Sequence, residues 1–286
     1  MNPSTARHKG DGLVAAIRRY LGCETIVAIW VLIIAVAFNL NNLYPDVAAT
    51  GLLGNDDGLH LMATELASDA ITQRQDFTDP WQSAIGMGHP LFHYYQHLPH
   101  IAVALAHVFT FGVISLDTMV NWAGYLLLSL FPLSIYWSMR RFGFDHISSA
   151  MGGLVASLTA ANNLFGFDFG SYIDRGLYTQ LWAMVLLPPA LALGYRVLLG
   201  GRGYFWAAAL LAATLVSHLI YGYMAFLTLG VLTLLHAARP LNTKALAEAV
   251  WGRWRRLIIL FLIVVGLTSY FLVPFFLDRP YLNVSV

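Results

Sequence analysis

Long apolar runs separated by short polar segments dominate the chain from residue 25 onward. A helix needs about 20 predominantly apolar residues to cross a bilayer. Runs of about that length predict membrane-spanning helices at Thr25–Tyr44, Asp117–Ser138, Ile147–Leu164, Tyr178–Leu199 and Leu257–Leu277. The pattern therefore predicts an all-α fold, a polytopic transmembrane helix bundle.

Two further apolar runs differ from this length. Tyr204–Ala238 is about twice as long as one span, and the polar stretch Ser217–Gly222 interrupts its middle. We interpret it as two short helices joined by a tight turn, which brings the number of predicted spans to seven. Leu98–Gly112 is shorter and carries His100 and His107. We expect it to lie along the membrane interface or to re-enter, without crossing.

Positive charges indicate the orientation, because loops rich in arginine and lysine stay on the cytoplasmic side. They cluster at Arg18–Arg19, Arg140–Arg141, Arg196–Arg202 and Arg239–Arg256. Seven crossings, with Leu98–Gly112 not crossing, place all these clusters inside. The alternative has eight crossings and leaves Arg140 and Arg141 outside. We predict the seven-crossing arrangement, in the plasma (inner) membrane, with a cytoplasmic N-terminus.

Composition supports the membrane class. Charged residues make up 11% and hydrophobic residues 58% of the chain, whereas a soluble domain carries about 25% charged residues. The net charge of +1 gives no indication of nucleic-acid binding. Cys23 is the single cysteine, which excludes an internal disulfide.

The predicted crossings divide the chain into a cytoplasmic segment (1–24), a transmembrane module (25–277) and an outer tail (278–286). The first outer loop, 45–116, is large. Within it, apolar residues recur at helical spacing, which predicts an amphipathic helix at 58–73; they are Leu59, Met62, Ala63, Leu66 and Ala70. We expect a second, juxtamembrane helix at 91–112.

Ionisable and aromatic residues collect in the predicted outer loops, where such groups are functional candidates. The stretch N-D-D-G-L-H places Asp56, Asp57 and His60 at the start of the amphipathic helix. Asn55 or Asp56 can cap that helix, and the acids and His60 can share one face. We take Asp56, Asp57 and His60 as candidate catalytic residues. The structural alternative for His60 is a pairing with its own capping acid.

Further candidates follow in the same loop and in the next two outer segments. Glycines and prolines between Asp79 and His100 predict an irregular path. The histidines there lack a zinc-binding signature, so we do not favour zinc. Aromatic residues in the loop either contact a substrate or belong to an interfacial belt. The candidate substrate-binding residues are Trp81, His89, Tyr94, Tyr95, Asp174, Arg175, Gln180 and His218.

The order D-D-G-L-H, then D-P-W, then G-M-G-H-P-L-F-H-Y-Y-Q-H-L-P resembles the first outer loop of bacterial membrane proteins labelled "6-pyruvoyl-tetrahydropterin synthase-related". The element D-R-G-L-Y-T-Q resembles their second signature. That group is similar to the GT-C superfamily of polytopic glycosyltransferases. The resemblance covers roughly Thr25 to Pro280. We reject pterin synthase activity, because the chain has no feature of that soluble enzyme.

The resemblance implies a GT-C-like module with an acidic site in the first outer loop. Asp56 or Asp57 would then act as general base toward an acceptor hydroxyl or as a ligand of a divalent cation, Mg²⁺ or Mn²⁺. The second acidic site would fall on Asp168 or Asp174, so the implied metal ligands are Asp56, Asp57 and Asp168. Arg175 would hold a lipid phosphate.

Two departures from the family pattern accompany the resemblance. Gln180 stands where a glutamate is expected, and the chain stops soon after the seventh predicted helix, whereas typical members continue. We therefore expect a fragment, a degenerate member or one half of a split enzyme with a second membrane subunit.

Two functions from different classes fit these features. The first is transfer of a sugar from a polyprenyl-phosphate donor to an acceptor at the extracytoplasmic face, in contact with membrane lipids. The alternative is a non-catalytic polyprenyl-lipid carrier or flippase, or the inactive partner of a glycosylation complex. Polar residues cluster at the outer ends of the predicted spans, with almost none in mid-helix, and this favours the transferase.

Overall fold

A computed structural model describes residues 22–48, 56–83, 88–158, 177–235 and 243–281. These residues form an almost entirely helical fold. A single two-stranded antiparallel ribbon in the described residues joins β1 (Trp81–Gln82) to β2 (His89–Pro90). The helices are α1 (Cys23–Ala48), α2 (Asp57–Thr72), α3 (Leu91–Tyr94), α4 (Leu98–Phe109), α5 (Leu116–Phe142), α6 (His146–Leu158), α7 (Tyr178–Gly200), α8 (Tyr204–Ser217), α9 (Leu219–Leu235), α10 (Thr243–Leu267) and α11 (Ser269–Leu277).

Three described helices are long and apolar enough to cross a membrane, at Cys23–Tyr44, Leu116–Phe142 and Tyr178–Gly200. Lys244–Leu267 and Ser269–Leu277 give a fourth if this bent pair counts as one span. The all-α bundle of a membrane protein is confirmed at this level. The number of seven crossings stays a prediction, and residues 159–164 of the predicted third span lie outside the described residues.

The bundle consists of two groups of helices that meet at α5 and α7. In the first group, α1, α5 and α6 pack against one another. In the second, α7, α8, α9 and α10 share the largest buried apolar cluster. Gly153 of α6 allows a close approach to α5, because a Cβ atom there would lie 2.8 Å from the carbonyl oxygen of Pro132. This agrees with the small-residue contacts typical of membrane helices.

Polar side chains of neighbouring helices replace two of the backbone hydrogen bonds that prolines remove from the long helices. A proline lacks the N–H that would bond the carbonyl four residues earlier. Pro132 thereby frees the carbonyl of Leu128, which accepts a hydrogen bond from Asn39 Nδ2 of α1 at 3.1 Å. Pro189 frees the carbonyl of Val185, which accepts from Ser134 Oγ of α5 at 2.6 Å. Both bonds connect neighbouring helices, and in the core of a bilayer such freed carbonyls need partners from the protein itself.

The predicted break within Tyr204–Ala238 is confirmed. Helix α8 ends at Ser217, His218 is extended with φ −160° and ψ 112°, and α9 begins at Leu219. Gly222 permits the tight turn, since a Cβ atom on it would lie 2.7 Å from the Cα of Leu215.

The last helices depart from the predicted span Leu257–Leu277. Residues 243–256 continue without interruption into α10. The helix then bends by 78° between Leu267 and Ser269. Hydroxyl groups compete with the backbone ladder at this point: Thr268 Oγ1 donates to the carbonyl of Val264 at 2.8 Å.

The juxtamembrane helix predicted at 91–112 is also two helices, α3 and α4. Tyr95 between them is extended, with φ −126° and ψ 145°, and Pro99 begins α4. The twelve residues of α4 span roughly 18 Å at 1.5 Å per residue, which is less than the thickness of a bilayer core. The helix predicted at 58–73 is confirmed as α2.

Helix α7 defines two ends of the bundle, which are roughly 34 Å apart by its 23 residues. Tyr178 in its first turn contacts His60 of α2 and His100 of α4, and we call this the loop end. In its last turn, the carbonyls of Leu198 and Leu199 accept hydrogen bonds from Nη1 of Arg256 at 2.7 and 2.8 Å. We call this the arginine end; Arg141 and Arg202 lie there as well.

Candidate active site

The acid pair lies at the start of α2. Asp56 occupies the N-cap position and Asp57 is the first helical residue. Asp56 adopts helical backbone angles instead of the extended ones of a capping residue, and its side chain makes no capping bond within the described part of α2. The predicted helix start is confirmed, and the cap predicted from Asp56 is not formed; Asn55 lies outside the described residues. Both acids are half-exposed.

His60, in the first turn of the same helix, is buried, with 1% of its surface exposed. Its Nδ1 lies 3.1 Å from Nε2 of His100, and the two rings stack with centroids 5.4 Å apart. In this hydrogen bond, one of the two nitrogens carries the N–H that donates and the other accepts with its lone pair. Because His60 belongs to the first turn of α2, this bond fixes the acid-bearing end of α2 on α4.

Aromatic rings surround the His60–His100 pair. Tyr95 lies 6.1 Å from His60 and 6.0 Å from His100 between ring centroids. Tyr178, the first residue of α7, lies 5.4 Å from His60. Phe92 stacks on His100 at 5.8 Å. The pair therefore lies in an aromatic enclosure formed by Phe92 of α3, by Tyr95, which follows α3, and by Tyr178 at the start of α7.

Tyr95 connects this enclosure to the acid pair. Burial raises the pKa of its hydroxyl, a hydrogen bond with the side chain of Thr179 lowers it, and the negative charge of Asp56 raises it further. Asp56 therefore lies close enough to Tyr95 for its charge to act on the phenol. The hydroxyl stays protonated at neutral pH and remains a hydrogen-bond donor.

His97 joins the loop to the last helix. Its Nε2 lies 2.6 Å from the hydroxyl oxygen of Tyr270, and its ring meets Phe271 edge-on at 5.3 Å. Burial lowers the pKa of His97 to about 4, against a weak opposing effect of the Tyr95 backbone. Burial also lowers the pKa of His100 far below its usual value, with His60 and His97 adding to the effect. Both rings are neutral at pH 7.

A polar clamp of His93, Asp79 and Asp278 connects the loop to the end of α11. We call the loop segment from Asp79 to Tyr94 the rim. His93 Nε2 lies 2.9 Å from an oxygen of Asp79, and His93 Nδ1 lies 3.4 Å from an oxygen of Asp278. Tyr94 is next to this clamp: burial, then the charges of Asp278 and Asp79, raise the pKa of its hydroxyl. Tyr94 therefore belongs to the rim, apart from the enclosure around His60.

Trp81 and His89 lie on the ribbon β1–β2. Trp81 is exposed, and its indole covers Gly88, which has φ +90° and leaves no room for a Cβ atom. His89 pairs with Gln82 across the ribbon and is half-buried. An exposed indole that lies against the backbone of Gly88 offers a surface for an apolar group or the face of a sugar ring.

Gln180 and His218 form a second group at the loop end. The side chain of Gln180 bonds the hydroxyl of Tyr221, and His218 meets Tyr221 edge-on at 5.2 Å. The predicted site residues thus divide into the acid pair with its enclosure, the rim and this group. Asp168, Asp174 and Arg175 lie outside the described residues.

The implied divalent cation finds an incomplete ligand set in the described part of the chain. No group of three or more histidine, cysteine or acidic residues there could hold a metal ion. Asp56 and Asp57 supply two neighbouring carboxylates, whereas Mg²⁺ takes six oxygen ligands, several of them waters. Asp168, the third predicted ligand, is outside the described residues.

Sequence reasoning missed the partners of His60 and His97. In the sequence, His100 stands out only as part of the run Leu98–Gly112, and Tyr270 is one aromatic residue within the predicted span Leu257–Leu277. The spacing of His97 and His100, three residues apart and therefore on one face of a helix, was the available signal. Nothing local connects His97 to Tyr270, which lies 173 residues further along the chain.

Comparison with known proteins adds no assignment. No protein-family model, no curated protein and no solved structure matches this chain.

Proposed function

We propose that this protein is a membrane glycosyltransferase that moves a sugar from a polyprenyl-phosphate donor to an acceptor hydroxyl at the extracytoplasmic face. The observation that carries the proposal is the acid pair Asp56–Asp57. Both carboxylates are half-exposed, Asp56 makes no capping bond in the described part of α2, and the His60–His100 bond holds the first turn of that helix on α4. A carboxylate with these properties is available to accept a proton.

The proposed step is a single displacement. Asp56 or Asp57 accepts the proton of the acceptor hydroxyl, and the acceptor oxygen forms a bond to the anomeric carbon. The bond from that carbon to the phosphate oxygen breaks, and the electron pair leaves with the lipid phosphate. The configuration at the anomeric carbon inverts. The predicted role of Arg175 is to stabilise the charge of the leaving phosphate.

The neighbouring residues have supporting roles in this proposal. His60 is buried, so we assign it to positioning the acid pair, instead of direct contact with the substrate. Tyr95 presents a protonated hydroxyl within range of the charge of Asp56 and can donate to a sugar oxygen. Trp81 offers its exposed indole to the apolar face of a sugar ring. The seven-crossing arrangement places all of them on the outer side, with the arginine end in the cytoplasm, as the charge rule favours.

An apolar groove offers a path for the lipid tail. It lies between α9 and α10, has a volume of about 550 Å³, and is lined by Tyr223, Phe226, Leu227, Val231, Trp254 and Phe261 among others. Tyr223 is five residues beyond His218, so the groove begins near the loop end of α9. A polyprenyl chain in this groove would keep its phosphate near the membrane surface.

The test uses the purified full-length chain in nanodiscs with radiolabelled polyprenyl-phosphate sugars. We expect the wild type to transfer sugar and Asp56→Asn or Asp57→Asn to lose at least about 100-fold of the rate, as for removal of a general base. Asp69→Asn is the matched control, because Asp69 is an exposed acid on the same helix. Full transfer by the Asp56→Asn/Asp57→Asn double variant would contradict the proposal.

A second assay separates the transferase from the carrier. A fluorescent polyprenyl-phosphate sugar is placed in the inner leaflet of liposomes that contain the protein. The transferase leaves the rate of lipid movement unchanged, whereas movement across the bilayer without sugar transfer would establish the carrier in its place.

A further inference from the structure

A large pocket lies at the arginine end, on the far side of the bundle from the acid pair. It is bounded by the last turns of α5 and α7 and by the start of α8, with a volume of about 920 Å³. Three of its lining residues are arginines, Arg141, Arg196 and Arg202, and none of the described lining residues is acidic. The walls between the guanidinium groups are apolar and aromatic, with Trp137, Leu193, Leu199, Trp206 and Leu210.

These three arginines differ from their neighbours at the same end. Arg253 and Arg256 donate hydrogen bonds to backbone carbonyls at the ends of α9 and α7, and Arg140 donates to the carbonyl of Phe144. Arg253 and Arg256 thus supply donors that the last carbonyls of a helix need, and Arg140 stabilises the turn that follows α5.

By contrast, the pocket arginines have no ion-pair partner within the described ranges, where the ion pairs involve His93. Arg141 lies over the ring of Trp137, 4.7 Å from its centroid. This contact orients the guanidinium group without neutralising its charge. The pocket thus carries concentrated positive charge that its own described residues leave uncompensated.

We propose that this pocket binds the phosphate headgroup of an anionic phospholipid from the leaflet at the arginine end. Guanidinium groups match phosphate oxygens in geometry. Basic pockets between membrane helices bind anionic headgroups, and tryptophan favours the headgroup level of the bilayer. A soluble phosphate would find the same guanidinium groups, but it would leave the apolar walls uncovered. The acyl chains of a lipid cover them, and this observation selects the lipid.

The pocket is independent of the proposed transferase activity, and its test needs no sugar donor. The purified full-length chain in a non-ionic detergent is titrated with phosphatidylglycerol, and bound lipid is counted by native mass spectrometry. We expect binding that exceeds binding of phosphatidylcholine. Each of Arg141→Gln, Arg196→Gln and Arg202→Gln should weaken it about fivefold, as expected for the loss of one basic contact to an anionic lipid.

Arg255→Gln is the matched control, because Arg255 is exposed at the same end and does not line the pocket. We expect it to bind phosphatidylglycerol like the wild type. Melting temperatures without added lipid verify that each variant is folded; the single variants keep the test valid if the triple variant fails to fold.

Inorganic phosphate and glycerol phosphate form the second arm of the experiment. The proposal expects neither to displace phosphatidylglycerol at equal concentration. It is overturned if soluble phosphate competes equally well, if phosphatidylcholine binds as tightly as phosphatidylglycerol, or if the folded arginine variants bind phosphatidylglycerol like the wild type.

Discussion

At the scale of single residues, the site depends on histidines that are kept neutral inside the protein. His97 and His100 are almost fully buried, and their low pKa values follow from that burial. The unfolded chain exposes both rings and protonates them near pH 6.5. Between about pH 6.5 and the lower pKa of the folded form, the unfolded state therefore binds more protons, and acidification favours unfolding.

We predict that the melting temperature of the wild type falls as the pH is lowered from 6.5 toward 4, because the pKa of His97 in the folded protein lies at about 4. The contribution of His97 over this window is on the order of 3 kcal/mol, by 1.36 kcal/mol per pKa unit. His97→Gln removes the titrating ring and keeps a polar group near Tyr270. The melting temperature of this variant should therefore fall less steeply between pH 6.5 and 4 than that of the wild type.

His107→Gln is the control for that prediction, because His107 bonds the carbonyl of Ile114 on the surface. It should leave the pH dependence of the wild type intact. If the melting temperature falls equally steeply with acidification in His97→Gln and in the wild type, His97 is not the residue responsible.

The sequence identified the acid pair and its helix, but it could not identify what holds them. Asp56 and Asp57 stand out because local spacing and the capping preference are readable within a few residues. The bond from His60 to His100 joins positions 40 residues apart, and the contact depends on how α2 and α4 pack. That packing follows from tertiary structure, which periodicity does not contain.

At the scale of helices, hydropathy predicted the existence of most elements and missed two of their breaks. The bounds of α1, α5 and α7 were predicted to within four residues, because long apolar runs allow few alternatives. The bend at Thr268 and the division between α3 and α4 were missed, since both arise from one or two residues within an otherwise continuous apolar pattern. The predicted turn at His218 succeeded because several polar residues interrupt that run.

The paired bonds to proline-freed carbonyls provide a test at this scale. Asn39→Leu leaves the carbonyl of Leu128 without its donor, which should lower the free energy of unfolding by about 1 kcal/mol, within the range for interhelical hydrogen bonds in membranes. In a Pro132→Ala background, residue 132 has an N–H that bonds this carbonyl itself. Asn39→Leu should then have a smaller effect.

A double-mutant cycle in mixed micelles measures this coupling. Ser134→Ala with Pro189→Ala repeats the design at the second carbonyl, that of Val185. An identical effect of Asn39→Leu with and without Pro132 would contradict the proposed compensation.

At the scale of the whole molecule, the account depends on the separation of two ends. The acid pair, the histidine enclosure and the group at Gln180 lie at the loop end. The pocket arginines and the carbonyl-capping arginines lie at the other end, roughly 34 Å away along α7. The proposed transferase site needs the loop end to face outward, and the proposed lipid pocket occupies the opposite membrane surface.

Thiol labelling in intact cells tests this arrangement most directly. Cys23 is replaced by serine, and single cysteines are placed at Glu65 of α2, at Arg255 of α10 and at Asp174. A membrane-impermeant reagent should label positions 65 and 174 from outside, and position 255 only after the membrane is opened. Labelling of 65 and 255 from the same side would contradict the two-ended arrangement, and labelling of 174 only from inside would remove Arg175 from the proposed site.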